Sequence, residues 1–193
     1  IASKHGVPLF YEPADLSKAT KPLTSDTHHA MTYTSPNLNE LNSMLRNLPS
    51  PPPPIGDINQ DNVKLRVAEV GVATRQLLEH YNTRVILVTL SEHGVVLVRR
   101  GRPEDPLPTK SSMTKGMRMM GAEVSGVWYP CTDPCTSVVS VSGAGDCLTT
   151  GFITGVLQGR DQASAVSAGL QAARISCSVS AAVPESLKHS DLN

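Results

Sequence analysis

Asp146 follows Gly143, Ala144 and Gly145 and precedes an apolar-periodic stretch, so "VSVSGAGDCLTTGFITGV" sets one carboxylate behind three small residues. The turn lies between a strand-like run and a helix start, where several backbone amides have no intrahelical acceptor. Such amides, with the helix dipole, stabilise phosphate oxygens, and small residues let a ligand reach the backbone. A fixed carboxylate there repels phosphate unless it does chemical work, such as accepting a proton from an attacking hydroxyl while the amides hold the transferred phosphoryl group. A second account needs no ligand: Asp146 caps the helix and the small residues permit close packing. Neither a GxGxxG dinucleotide fingerprint nor a GxxxxGK[ST] phosphate loop occurs in the chain. The two commonest rivals for a glycine-rich turn are thereby removed.

The elements that must position this turn alternate in type. "GVPLFYEP" is a short apolar run closed by Pro13 and suits a buried strand. "MTYTSPN" reads as a second strand, and Ser35-Pro36 forces an extended exit before "NLNELNSML", whose Leu38, Leu41 and Leu45 fall at helical spacing. "LPSPPPPIGD" reads as an exposed polyproline-like loop, because proline lacks the amide donor and fixes φ. Val67, Val70, Leu77 and Tyr81 mark a long amphipathic helix that feeds the continuously apolar "RVILVTL". A strand apolar on both sides is what a parallel sheet covered on both faces requires. "SEHG" and "VVLVRR" follow as a turn and adjoining strand; "AEVSGVWYP" and "TSVVSV" restore strand patterning after a polar, basic loop over residues 101–121. Two helices finish the chain, one carrying Leu148, Phe152, Ile153, Val156 and Leu157 on one side, the other alanine-rich and tightly packed.

At 193 residues the chain has the size of one domain, or of a piece of a larger one. Seventeen basic and seventeen acidic side chains cancel, so no field favours nucleic acid or an anionic membrane. No apolar run approaches a bilayer span and the N-terminus lacks a signal-peptide pattern, so a soluble cytoplasmic chain is expected. Cys131, Cys135, Cys147 and Cys177 are compatible with a reduced compartment and are expected to be free thiols, and "CTDPC" lacks the second ligand pair of structural zinc. His28 and His29 read as solvated, and "KSSMTKGMRMM" as a mobile loop rather than a contact surface.

"GAGDCLTTGFI" resembles the C-terminal signature of the ribokinase-like, or PfkB, family of ATP-dependent sugar and nucleoside kinases. "NLNE" is similar to that family's NxxE motif and "VTLSEHG" to its nucleotide-side strand and turn, in the family's order. The resemblance implies a doubly wound, mainly parallel α/β sheet with helices on both faces. It implies Asp146 as general base, an anion hole of Gly143, Ala144 and Gly145, and Thr89, Ser91 and Gly94 bordering the nucleotide. It also carries Glu40, with Asn37, to Mg2+ and its waters, a role that suits hard oxygen ligands; without metal, Glu40 would be an exposed first-turn glutamate favoured by the helix dipole.

"YEPADLSKA", "YTSPNLNEL" and "VSGAGD" most resemble the pseudouridine-phosphorylating members, which implies the 5′-hydroxyl of pseudouridine as acceptor; another ribose or ribonucleoside is the alternative. Ser91 stands where many relatives have glycine, and Ser140 where many have an aspartate of a monovalent-cation loop. The family's early strands, glycine pair and β-sheet lid have no counterpart, so residues 1–193 are expected to be a C-terminal nucleotide-binding portion, inactive alone and prone to self-association. A binding domain without catalysis is the reading of a different class.

Overall fold

A computed structural model describes residues 3–25, 30–81, 83–110, 123–132 and 137–184. Cys135, His28, His29 and nearly all of "KSSMTKGMRMM" lie outside the described residues. The chain divides into two compact units, Ile1–Tyr129 and Pro130–Asn193.

The first unit is built on five strands in the order β1 (Leu9–Tyr11), β2 (Met31–Thr34), β3 (Val85–Thr89), β4 (Val95–Arg100) and β5 (Val124–Tyr129). β1, β2 and β3 run parallel, whereas β4 and β5 are added antiparallel. The helix α1 (Leu38–Leu45) follows β2 and the helix α2 (Val63–Tyr81) precedes β3, the crossover order that parallel strands need. β3 is β-branched and leucine-rich, and Val85, Ile86, Leu87 and Val88 are all buried although successive side chains point to opposite faces. On α2 the buried residues Val70, Ala73, Thr74, Leu77, Leu78 and Tyr81 recur at helical spacing, and all of them but Thr74 join Leu41, Met44 and Leu45 of α1 with Ile86, Val88, Val96 and Val98 in one core.

β1 departs from the buried strand expected of it, since Leu9 is 42% exposed. Among the described strands it pairs only with β2 and so stands at the sheet edge. The proline-rich loop is pinned rather than free: Asn42 donates through Nδ2 to the Ile55 carbonyl and accepts the Ile55 amide, each at 2.9 Å. At the far end of β4, Arg99 is fully buried, donating to the carbonyls of Asp105 (2.7 Å) and Pro106 (2.9 Å). Tyr33 Oη donates to the Pro108 carbonyl at 2.6 Å. Burial pulls the Arg99 guanidinium down and pushes the Tyr33 phenol up, so these carbonyl contacts are what make a buried polar side chain tolerable.

The second unit holds α3 (Ala144–Leu157) and α4 (Gln162–Cys177). Asp161 caps α4, accepting the Ser164 amide at 2.8 Å. The helices touch through small residues: a Cβ built on Gly151 would fall 2.6 Å from the Ala168 carbonyl oxygen, and one on Gly155 2.7 Å from Ala165 Cα. Alanine on α4 therefore reflects close packing, as the sequence suggested. Leu157 does not join that face and is 79% exposed. The described part of "TSVVSV" is not a strand either; no described strand pairs with it, and the Val139 amide donates instead to the Cys177 carbonyl at 2.8 Å. Cys131, Cys147 and Cys177 are free thiols. Among the described residues no helix is long and apolar enough to cross a membrane.

Candidate functional site

The site residues fall on both units, and each half has its own geometry. In the first unit α1 begins with a capping box: the Glu40 amide donates to Asn37 Oδ1 at 3.0 Å and the Asn37 amide to Glu40 Oε2 at 2.8 Å. Glu40 is only 4% exposed, so it is not the solvated first-turn glutamate of the metal-free account. Its other carboxylate oxygen has no partner among the described residues. One free oxygen beside an amide group fits Mg2+ held partly through its own waters, as that ion is commonly bound.

The start of α1 is tied to the end of β3 by a bridge between Asn37 and Thr89 and by the Thr89 amide donating to the Pro36 carbonyl at 3.0 Å. These ends enclose a cleft of about 470 Å³ that Asn37, Thr89 and Ser91 line together with Asp57, Ile58 and His93. Three of the expected residues thus meet at the carboxyl end of a parallel strand, the usual ligand position in open α/β sheets. Glu40 and Gly94 do not line it. Gly94 instead closes the one-turn helix Ser91–His93, with φ of 89° and its amide on the Ser91 carbonyl.

Ser91 itself has φ of 52°, in the left-handed region that costs a side-chain-bearing residue about 1–2 kcal/mol. Ser91→Gly is therefore expected to raise stability by about 0.5–1 kcal/mol after glycine's extra chain entropy is subtracted. Denaturant titration checks it, and an unchanged or lowered midpoint would contradict it. Strain at a residue bordering a cleft is also what binding sites tend to hold.

Two residues escaped sequence reasoning. Glu12 follows β1, and Ser35 Oγ at the end of β2 donates to its carboxylate. Burial, then the carboxylates of Asp15, Glu40 and Glu12, holds the neighbouring Tyr11 phenol above its usual range, so acidic groups gather at this end of the sheet. An acid just beyond a parallel strand was the available signal for Glu12. Asp57 could be found only once the proline loop was known to border the cleft.

In the second unit Gly143 is the N-cap of α3, with φ of 80°, and no side chain caps the helix. Asp146 is exposed in the first turn, so the account in which it caps α3 fails. The Ala144 amide donates to the Val141 carbonyl at 3.3 Å. The Gly145 and Asp146 amides follow within the uncapped first turn, where no intrahelical acceptor exists. The two glycines differ. A Cβ on Gly143 would collide with the Ala182 carbonyl, whereas one on Gly145 would meet nothing within 4 Å. Packing explains Gly143, but nothing in the described structure requires glycine at 145. Thr150 Oγ1 donates back to the Asp146 carbonyl at 2.8 Å, an accommodation expected of a hydroxyl there.

The family model described as pfkB family carbohydrate kinase matches residues 1–188. A pseudouridine kinase of Arabidopsis thaliana is 23% identical over 213 residues, covering 97% of this chain and 54% of that protein. Ribokinase from Cryptococcus neoformans var. grubii serotype A, solved in complex with ADP, superposes with a TM-score of 0.68 at 17% identity, over 92% of this chain and 50% of that one. Arabidopsis thaliana ribokinase complexed with ribose and ATP gives 0.61 at 18% identity, over 94% and 46%. The chain spans about half the length of these relatives and shares the ribokinase-like fold.

Proposed function

The chain belongs to the pfkB family of carbohydrate kinases, and from that premise we propose that it is the C-terminal, nucleotide-binding portion of an ATP-dependent kinase whose acceptor is the 5′-hydroxyl of pseudouridine. The observation that carries the reading is the first turn of α3: uncapped, with an unhindered glycine at 145 and an exposed carboxylate beside it. Asp146 takes the proton of the acceptor hydroxyl as that oxygen bonds to the terminal phosphorus of ATP and the bond from that phosphorus to the bridging oxygen breaks, leaving ADP. The amides of Gly143, Ala144 and Gly145 stabilise charge on the transferred phosphoryl group, Gly145 most directly because the Ala144 amide is already shared. Thr89 and Ser91 border the nucleotide, and Gly94 shapes the turn that presents them. Glu40 and Asn37 would hold Mg2+ through water, and the ion when bound neutralises phosphate charge.

The pseudouridine acceptor is supported by the Arabidopsis relative, and another ribose or ribonucleoside acceptor is the alternative within the family. A nucleotide-binding domain without catalysis is the second reading, of a different class. One assay separates the two: ATP-dependent phosphorylation of pseudouridine, uridine, ribose and adenosine by this chain and by the full-length kinase. The expected result is ATP binding with negligible turnover by the chain, and phosphorylation of pseudouridine by the full-length protein. ATP binding with no turnover of any acceptor by either would establish the non-catalytic reading.

A further inference from the structure

One wall of the first unit's cleft comes from the proline-rich segment, and no phosphate chemistry accounts for its carboxylate. Four successive prolines at 51–54 stiffen the segment, Asn42 grips Ile55 in both directions at 2.9 Å, and Asn62 Nδ2 donates to the Asp57 carbonyl at 3.1 Å. Asp57 is thereby held at the cleft. It is exposed, and its carboxylate has no hydrogen-bond or ion-pair partner among the described residues. Arg66, whose guanidinium packs on Gly56, pairs with Glu69 at 2.7 Å instead. The other acid of the cleft, Glu92, lies 3.7 Å from His93 Nε2.

None of the described residues lining the cleft is a lysine or arginine. The Asp57 carboxylate, with no cationic side chain of the cleft beside it, disfavours direct contact with phosphate but accepts hydroxyl donors, and a charge-assisted O–H bond is the stronger kind. Leu38, Ile58 and Leu90 supply apolar surface beside it. A volume of about 470 Å³ lies in the range of small-molecule sites. The ligand group that matches is neutral, partly apolar and carries adjacent hydroxyls.

We propose that Asp57 accepts the 2′- and 3′-hydroxyls of a ribose seated in this cleft, and so selects ribo- over deoxyribo-ligands. The proposal rests on the phosphotransferase reading, and the ribose has two sources, the nucleotide and a nucleoside acceptor. Calorimetric titration of the 193-residue chain with ATP, 2′-deoxy-ATP, uridine and 2′-deoxyuridine tests it, for wild type, Asp57→Asn and Asp57→Ala. Wild type is expected to bind the ribo form about tenfold more tightly, and Asp57→Ala to lose most of that preference. A preference confined to the ATP pair assigns the diol to the nucleotide, and one confined to the uridine pair assigns it to the acceptor. Equal wild-type binding of ATP and 2′-deoxy-ATP, and likewise of the uridine pair, overturns the proposal while nucleotide binding stands; so does a preference that survives both substitutions. No binding of either nucleotide overturns the function reading and this inference together. The wild-type comparison needs no substitution, so a variant that fails to fold does not shield the proposal.

Discussion

Asp146→Asn in the full-length kinase is expected to lower kcat by about a hundred- to ten-thousand-fold, the usual contribution of a positioned general base, with ATP affinity retained. The amide is nearly isosteric and can still accept a hydrogen bond, but it cannot take the acceptor's proton. Retention of ATP follows from the geometry: Asp146 caps nothing, since α3 has no side-chain cap, and the carboxylate is exposed, so its loss leaves the fold intact. Removing a negative charge beside the phosphates would, if anything, tighten nucleotide binding. Stopped turnover with bound ATP is therefore the signature of a base. Turnover within a few-fold of wild type would end that assignment, and loss of ATP binding together with activity would assign Asp146 to nucleotide binding.

How much of this was legible without coordinates depends on the range of the interactions involved. The strand and helix spans near Asn37 and Glu40 could be read because the capping box is local: two residues three apart satisfy each other's backbone amides. The same pair shows what local pattern hides. Sequence reasoning left Glu40 either to metal or to solvent, whereas the structure buries it as a cap and leaves one oxygen free. β3 was legible from continuous apolar character, but "TSVVSV" has similar β-branched content and its described part is not a strand, because strandedness needs a partner edge that composition cannot report. Leu157 fits the apolar face of α3 by spacing and is nevertheless exposed, lying at the last turn just before the α3 to α4 connection. Asp57 reached the cleft through Asn42 holding Ile55, a contact spanning 13 residues, and no motif announces it.

Gly143 and Gly145 were indistinguishable in the sequence, and the structure separates them into a glycine that packing requires and one that it does not. Gly143→Ala combines a left-handed φ of 80° with a collision on the Ala182 carbonyl. Left-handed strain of about 1–2 kcal/mol and overpacking of about 1–3 kcal/mol together predict a loss of about 2–5 kcal/mol. That corresponds to a fall in Tm of roughly 4–20 °C for a chain of this size. Gly145→Ala faces open space with ordinary backbone, so stability should hold or rise by about 0.5 kcal/mol from the better helix former. Nucleotide affinity should move oppositely: a methyl group in the path of the phosphates obstructs the Gly145 amide, and loss of one charge-assisted hydrogen bond weakens ATP by roughly tenfold or more. Thermal melts and ATP titrations on the two variants read both quantities. If Gly145→Ala melts normally and binds ATP as wild type does, the amide at 145 is not part of an anion hole, and the small residues before Asp146 reduce to packing. If it melts normally and loses ATP, the glycine that packing does not need is the one the phosphates use.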